Sequence, residues 1–287
     1  MSLFVSLIPR LWGGGSNTFA YNLARYARRR GVPVAKSLEG AKRAIVVAHL
    51  ADPEAVARAK AQGCLIIHRL DEDFNWKADE PSRRAKHERI KALNVHADVT
   101  VFQSEFVRAQ AEPLLKPRRH AVILNGGDPN AFYPSKAPGA YVGHVTWSVG
   151  EKKRLDRLYD CIRENPDKRF LLVGRHMESG IPFKSLPNTR VIGRRPRLLL
   201  PYYLRKMGAL YFPSQDDPCP NTVVEALLCG VPVCYEERGG TKELVRHCGL
   251  PLNRFAELWR DRAEYRRRCL GRADLHFARA AEEYLAL

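Results

Sequence analysis

The sequence predicts an α/β protein made of two domains. Short apolar runs rich in β-branched residues alternate with stretches of helical spacing along most of the chain, which is typical of a parallel sheet covered by helices. A glycine- and proline-rich segment, 125–140, interrupts this alternation. The length of 287 residues also suits two domains of ordinary size. We therefore expect two Rossmann-like domains on either side of a hinge.

The first domain is predicted to span residues 1–136. Its strands are the runs "LFVSLI", "AIVVAHL", "CLIIH", "DVTVFQ" and "AVIL", and helical spacing follows at 16–30, 53–62, 82–95 and 104–114.

The second domain, 137–270, repeats the pattern. Its strands are "AYVGHV", "RFLLVG", "TRVIG", "ALYFPS" and "VPVCYE", with helices at 153–164, near 197–206 and around Glu225. The tail from Phe255 is amphipathic and predicts helix, and we expect residues 271–287 to form a helix that packs back toward the first domain.

The chain is strongly basic. It has 48 Lys and Arg against 31 Asp and Glu, a net charge of +17, and the excess is clustered in runs such as Arg28-Arg29-Arg30. Nucleic acid, an acidic membrane surface and phosphorylated small molecules all satisfy this charge, and so does a basic surface that is merely solvated.

The cysteines and the hydropathy indicate a cytoplasmic protein. The seven cysteines form no C-x-x-C pair and several lie in apolar runs, so we expect reduced, buried thiols. The apolar run at the N-terminus is too short for a signal sequence, and no apolar run approaches the roughly 20 residues that span a bilayer. The sequence therefore predicts a protein that is neither exported nor membrane-spanning.

Three glycines, Gly13, Gly14 and Gly15, join the first strand to a helix that starts near Ser16. Glycines allow close backbone approach, and the amides at a helix N-terminus favour phosphate. The spacing is not G-x-G-x-x-G, and the lysine of a P-loop is missing. The segment is either a phosphate-binding loop or a tight turn.

A second loop, after "YVGHV", brings Lys152, Lys153 and Arg154 to the start of a helix. Open α/β sheets bind ligands at the carboxyl ends of their strands, and lysine supplies a point charge for a pyrophosphate. A solvated basic helix start is the alternative.

A third group, "HRLDED", places His68 and Asp71 at the carboxyl end of a buried strand. This position suits acid–base chemistry or recognition of hydroxyl groups. Metal binding is disfavoured because no second histidine has a ligand-like spacing. A loop satisfied by its own hydrogen bonds is the alternative.

The fourth group is "SQDDPCPNTVVEALLCGVPV", in which seven residues separate Asp217 from Glu225. Pro220 or Asn221 starts a helix, so Glu225 falls just over one turn inside it. A carboxylate there is stabilised by the helix dipole, and it could also accept hydrogen bonds from both hydroxyls of a ribose.

Together these pieces resemble the retaining GT-B glycosyltransferases of the large fourth family, which includes transferases for lipopolysaccharide, capsule and glycolipid. The resemblance covers nearly the whole chain. It rests on the glycine loop, on "VFQSEFVRAQ", on the hinge "VILNGGDPNAFYP", and most specifically on "FPSQDDPCPNTVVEALLCGVPV" followed by "ERGGTKELV". It implies two Rossmann-like domains facing a cleft and transfer of a hexose-like unit from a nucleoside diphosphate sugar to a hydroxyl, with retention.

The resemblance also implies residue roles. Glu225 would bind the ribose of the donor and Asp217 its sugar. His68 and Asp71 would lie beside the anomeric carbon and the acceptor. The remaining donor-binding residues would contact phosphate or sugar: Gly13, Gly14, Gly15, His144, Lys152, Lys153, Asn221, Thr222 and Val223.

The implied partners are a nucleotide sugar and a hydroxyl acceptor, with no metal ion, no other cofactor and no nucleic acid. If the acceptor is lipid-linked, the basic helix around Arg25 and Arg28 would rest on an anionic membrane at its inner face. Alternatively, the aromatic residues of that helix are its core-facing stripe.

Three departures from the family pattern stand out. Asp217 replaces a glutamate, His144 stands where an arginine is usual, and the first domain, which would bind the acceptor, is short. The competing hypothesis is a basic nucleic-acid-binding or catalytically degenerate protein with a glycosyltransferase-like core.

Overall fold

The computed structural model describes residues 2–7, 14–75, 77 and 79–287. The chain forms two compact units: unit 1 comprises Met1–Asn125 and Phe277–Leu287, and unit 2 comprises Gly126–His276. The sequence prediction draws these boundaries at 136/137 and 270/271. Each unit contains a parallel sheet with helices, which confirms the predicted α/β class.

Unit 1 has a five-stranded parallel sheet in the order β1-β2-β3-β4-β5. The strands are β1 Leu3–Val5, β2 Arg43–Val47, β3 Leu65–Leu70, β4 Val99–Phe102 and β5 His120–Val122.

The strands of this sheet are added first on one side of β1 and then on the other. Helix α1, Gly15–Arg29, leads from β1 to Val34, which forms a parallel bridge to Leu3. The chain then crosses to β2, which also pairs with β1 in parallel. Such a topological switch point is where open α/β sheets bind ligands, outside the carboxyl ends of the strands.

Helices cover both faces of the unit 1 sheet. They are α1, α2 Pro53–Ala61, α3 Pro81–Asn94, α4 Glu105–Leu115 and α11 Phe277–Ala286. Helices α1 and α11 pack together, with the rings of Phe19 and Tyr284 4.9 Å apart. Phe19 and Leu23 are buried in this core, so the apolar side of α1 is a core-facing stripe.

Unit 2 has a six-stranded parallel sheet in the order β11-β10-β9-β6-β7-β8. The strands are β6 Tyr141–Thr146, β7 Phe170–Gly174, β8 Thr189–Gly193, β9 Met207–Phe212, β10 Val233–Tyr235 and β11 Gly249–Pro251. From β6 the chain runs outward through β7 and β8, then returns to β9 on the other side of β6. This is the strand order of the dinucleotide-binding folds, and its switch point lies between β6 and β9.

The helices of unit 2 are α5 Leu155–Glu164, α6 Leu200–Leu204, α7 Asn221–Leu228, α8 Thr241–Val245, α9 Phe255–Arg260 and α10 Arg262–Cys269. Helix α6 is shorter than the predicted 197–206, because Arg197–Leu199 form a 3-10 turn before it.

The carboxyl end of β6 is fixed by a close approach to β7. Gly174 has φ of 113°, and a Cβ at this position would lie 1.9 Å from the carbonyl oxygen of Thr146. Because β7 passes so close, the loop after β6 leaves the sheet from a defined position. That loop carries the predicted phosphate-binding cations.

All seven cysteines, which lie in the described part of the chain, are buried free thiols, as predicted. Within the described residues, no helix is both long enough and apolar enough to cross a bilayer.

Candidate functional site

Two loops meet at the switch point of unit 2, one after β6 and one after β9. The amide of Gln215 donates to the carbonyl of Lys152 at 2.8 Å. Lys153 Nζ donates to Ser214 Oγ at 3.2 Å and to Asp217 Oδ2 at 3.0 Å. The predicted phosphate-binding lysines and the first acidic residue of the signature therefore lie together, at the sheet edge where this topology binds ligands.

The cations after β6 differ in their contacts. Arg154 forms a bidentate pair with Asp156, with Nη2 2.7 Å and Nε 3.0 Å from the carboxylate oxygens. Its charge is therefore paired with the acidic residue in the first turn of α5. Lys153 pairs with Asp217, and the side chain of Lys152 is half-buried. Lys153 is thus directed toward the loop after β9, whereas Arg154 is directed toward α5.

The loop that carries Asp217 is tightly held. Asp216 has φ of 50°, and its buried carboxylate accepts from Arg238 Nε at 2.7 Å. The amide of Gly240 donates to the carbonyl of Asp217 at 3.0 Å. A Cβ on Gly239 would lie 3.1 Å from the backbone N and O of Asp217. The glycine pair in "ERGGT" therefore lets two backbones approach closely, and this contact positions Asp217.

Glu225 is a buried carboxylate in the second turn of α7, with 2% of the residue exposed. Arg197 Nη2 donates to its Oε1, whereas its Oε2 has no hydrogen-bond partner in the described part of the chain. Burial raises the pKa of the Glu225 carboxyl above its ordinary value, and the charge of Arg197 opposes this shift. A buried acceptor without a donor costs about 1–3 kcal/mol. Such an atom in a folded protein calls for an explanation, and a ligand hydroxyl supplies one.

The first turn of α7 contains Asn221, Thr222 and Val223. The amide of Val223 donates to the carbonyl of Pro220 at 3.0 Å, and its side chain is buried in the core. Asn221 and Thr222 are half-buried. They are therefore the residues of this turn whose side chains extend beyond the core, at a helix end that favours an anion.

His144 is a core residue of β6. It is 1% exposed, and its Nδ1 lies 2.7 Å from Nε2 of His176. Burial lowers the pKa of both imidazoles, that of His176 to about 4, so both rings are neutral at pH 7. One nitrogen of the pair must then donate and the other accept. The ring that replaces the family's arginine is thus an uncharged, buried side chain.

The described part of the glycine loop lies at the start of α1 in unit 1. Gly14 caps this helix and Gly15 begins it, whereas Gly13 lies outside the described residues. Gly14 has φ of −71°, which any residue can adopt, and a Cβ there would meet no described atom within 4 Å. Neither the φ of Gly14 nor its packing against the described residues therefore requires a glycine at this position.

Asp71 lies at the same helix start. Its Oδ2 accepts from Ser16 Oγ and from Arg69 Nη1, the latter at 2.9 Å. Arg69 is 1% exposed, stacks 3.9 Å above the ring of Phe19, and donates through Nη2 to Asn125 Oδ1 at 3.2 Å. The Asp71 carboxylate is therefore held in one orientation by a buried cation and a hydroxyl.

His68 does not join this cluster through its ring. It lies within β3 and is fully buried, with Nε2 2.8 Å from the carbonyl of Ala48 and Nδ1 2.9 Å from Asn94 Nδ2. Burial lowers the pKa of His68 to about 4. Both ring nitrogens are thus engaged, and the imidazole is neutral at pH 7.

Sequence reasoning missed Arg197, gave Ser16 no role beyond the start of the helix, and included Arg69 in the third group without a role of its own. Arg197 lies 28 residues before Glu225 on another element, so no spacing connects the two. The available signal was chemical: a carboxylate predicted to be buried requires a cation or a hydrogen-bond donor. Among the described residues no group of three or more His, Cys, Asp or Glu side chains is arranged to hold a metal ion.

Part of the chain matches a known family at the level of sequence. Residues 140–257 match the family model described as Glycosyl transferases group 1. An uncharacterized glycosyltransferase of Methanocaldococcus jannaschii is 26% identical over 162 residues, which cover 54% of this chain and 45% of that protein. The chain thus spans less than half the length of this curated relative.

Solved structures resemble the chain over nearly its whole length. Sucrose-phosphate synthase from Thermosynechococcus elongatus superposes with a TM-score of 0.82 at 16% identity, covering 99% of this chain and 97% of that one. Anabaena HepE, solved in complex with UDP and glucose, gives a TM-score of 0.75 at 16% identity, covering 99% and 98%. At this identity the likeness shows the fold. The predicted resemblance is therefore confirmed: residues 140–257 match the glycosyl transferases group 1 family, and the chain has the two-domain GT-B fold.

Proposed function

We propose that this protein is a glycosyltransferase that moves a hexosyl unit from a nucleoside diphosphate sugar to a hydroxyl acceptor, with retention at the anomeric carbon. The observation that carries the proposal is Glu225, a buried carboxylate whose Oε2 lacks a partner among the described residues. It lies in α7, which follows the loop that carries Asp217, and Asp217 is the ion-pair partner of Lys153. A ribose diol would donate to a carboxylate in this position.

The remaining donor contacts follow from the charges at the switch point of unit 2. Lys152 and Lys153 would face the pyrophosphate and offset its negative charge, since their loop is hydrogen-bonded to the loop that leads into α7. Asp217, oriented by Lys153 and by the backbone of Gly240, would accept from the sugar hydroxyls. The protein would need no resident metal ion or cofactor for these contacts.

The chemistry would depend on positioning and electrostatics. As the glycosidic bond to the diphosphate breaks, negative charge grows on the leaving oxygen, and fixed cations stabilise it without rearrangement. The departing phosphate would take the proton from the incoming hydroxyl on the same face of the sugar. No covalent bond between sugar and protein is required.

The acceptor-side residues are proposed for unit 1. Asp71, whose carboxylate is fixed by Ser16 and Arg69, is the candidate for contact with the acceptor hydroxyl or the sugar. His68 is better assigned as a positioning residue, because its ring nitrogens contact Ala48 and Asn94.

UDP-glucose is the first donor to test, since HepE, which shares the fold, was solved in complex with UDP and glucose. The experiment is a thermal-shift screen of UDP, GDP, ADP and CMP, followed by NMR of the product formed from the matching sugar nucleotide. A ligand at 100 times its dissociation constant should stabilise the protein by about 2.7 kcal/mol. Absence of binding by every nucleotide, or a product with the inverted anomeric configuration, would contradict the proposal.

A further inference from the structure

Unit 2 exposes a small apolar patch, called the tip here, formed by Leu198 and Leu199 in the turn before α6 and by Tyr202 in α6. Leu198 is 88% exposed, the largest value for any large apolar side chain in the described ranges, and Leu199 and Tyr202 are 42% and 52% exposed. Single exposed apolar residues are ordinary, but three within five positions form a patch. Leu198 and Tyr202 are four residues apart and so share one side of this helical segment.

The tip is firmly anchored. Leu200 and Leu204 alternate with the exposed residues and are 1% and 0% exposed, so the opposite side of the segment belongs to the core of unit 2. The exposed side chains are therefore presented by a packed element, and a substitution at Leu198 should leave the fold intact.

The sequence around the tip is uniformly basic. Residues 189–206 contain six basic residues and no acidic ones: Arg190, Arg194, Arg195, Arg197, Arg205 and Lys206. Arg190, Arg194 and Arg195 are exposed. Lys206 Nζ lies 4.5 Å from the ring centre of Tyr202, which joins the charge directly to the apolar patch. Acidic charge comes from Glu178, which pairs with Arg194 at 2.7 Å, and from Glu225, which pairs with Arg197.

We propose that this surface, the 190–206 face, binds an anionic lipid bilayer. Leu198, Leu199 and Tyr202 would enter the boundary between headgroups and acyl chains, while the exposed arginines contact lipid phosphates. Protruding leucines gain free energy from acyl chains, whereas a nucleic acid offers them no comparable apolar layer. Helix α1 exposes Arg28, Arg29 and one large apolar side chain, Tyr21 at 43%, whereas Phe19 and Leu23 are buried. The 190–206 face, with three such side chains, therefore fits this partner better than α1.

The test is co-sedimentation with phosphatidylcholine vesicles, with and without phosphatidylglycerol. The wild-type protein should bind the anionic vesicles and lose this binding at high salt. Leu198→Glu should lower the partition coefficient about tenfold or more, a difference of at least about 1.4 kcal/mol. The matched control is Leu270→Glu, which adds the same charge to unit 2 at a leucine that is 53% exposed, and it should lower binding much less.

A second pair of variants separates the two basic surfaces. Arg194→Gln with Arg195→Gln should weaken vesicle binding more than Arg28→Gln with Arg29→Gln, although both pairs remove the same charge. Thermal unfolding of every variant checks that the fold is retained.

Insertion can be followed with Leu198→Cys carrying a polarity-sensitive fluorophore, since the native cysteines are buried. Its emission should shift to the blue on anionic vesicles. The proposal would be overturned by no shift, by equal losses for Leu198→Glu and Leu270→Glu, or by a larger loss for the α1 pair. Preferential binding of single-stranded RNA over the vesicles would also overturn it.

Discussion

Substitution of Glu225 by glutamine tests the donor site most directly. The change keeps the side-chain shape but removes the negative charge and replaces one acceptor oxygen by a donor NH₂ group. If Glu225 accepts hydrogen bonds from a ribose diol, the variant should bind UDP more weakly while the protein stays folded.

The expected loss of UDP affinity follows from the contacts of the two carboxylate oxygens of Glu225. Oε1 already accepts from Arg197, whereas Oε2 has no partner among the described residues, so one full hydrogen bond to a charged acceptor is at stake. Such a bond contributes about 1.5–3 kcal/mol. The Kd for UDP should therefore rise about 10- to 150-fold in Glu225→Gln.

Isothermal titration calorimetry with UDP and 2′-deoxy-UDP, on the wild type and on Glu225→Gln, measures how much of the affinity depends on both the 2′-hydroxyl and the carboxylate. The wild type should prefer UDP by at least about tenfold, and Glu225→Gln should lose most of that preference. Glu164→Gln, at an exposed position of α5, removes the same charge from unit 2 and serves as the control. Unchanged UDP affinity, or equal losses for the two nucleotides, would refute the ribose assignment.

The raised pKa of Glu225 predicts how UDP affinity and protein stability change with pH. Burial raises the pKa of Glu225 in the folded protein, so its carboxyl takes up a proton at a higher pH than an exposed glutamate does. Protonation removes acceptor capacity, and UDP binding by the wild type should therefore weaken as pH falls, with a smaller change in Glu225→Gln. The raised pKa also means that the charged form costs stability as pH rises, so at pH 7 the variant should be at least as stable as the wild type.

Three further predictions concern other positions. Lys152→Ala should weaken binding of UDP more than binding of uridine in calorimetry, and equal losses would contradict its role at the pyrophosphate. His68, with a folded pKa of about 4, should show no NMR titration between pH 8 and 5.5; its contribution to the free energy of unfolding should fall by about 3 kcal/mol as pH drops from 6.5 to 4, so His68→Gln should lessen the pH dependence of unfolding by about that amount. Gly174→Ala should cost more than about 3 kcal/mol by chemical denaturation, whereas Gly180→Ala, with φ of 75° and no described atom within 4 Å of its Cβ, should cost about 1–2 kcal/mol; similar costs for the two would refute the close approach to Thr146.

The sequence predicted the α/β class and most elements because the patterns involved are local. The runs "AIVVAHL" and "CLIIH" became β2 and β3, and the helical spacing at 16–30 became α1 within one residue at each end. Strand order is not local. The bridge of Val34 to β1 and the return of the chain from β8 to β9, which create the two switch points, could not be read from periodicity.

The candidate sites divide in the same way. The spacing of Asp217 and Glu225 was visible in the sequence, and so was the basic segment at Lys152. The partners of these residues were not visible, because Arg197 and Ser214 come from elements that only tertiary folding brings close. His68 shows the limit of a positional argument. It lies inside β3, whose side chains are buried on both faces of the sheet, whereas Asp71 lies just beyond the end of the strand.

The contrast between Glu225 and His68 explains why one of them is the stronger functional candidate. Both are buried and both have shifted pKa values, so burial and titration do not separate them. Hydrogen bonding does. His68 has a partner for each ring nitrogen, which is the state expected of a core histidine, whereas Glu225 keeps an unpartnered oxygen within the described structure at a cost to the fold. A leucine in that helix would carry no unpartnered polar atom, so the stability of unit 2 does not account for a carboxylate there. A ligand that donates to Oε2 accounts for it, and the paired measurements of UDP affinity and unfolding free energy in Glu225→Gln decide between these two explanations.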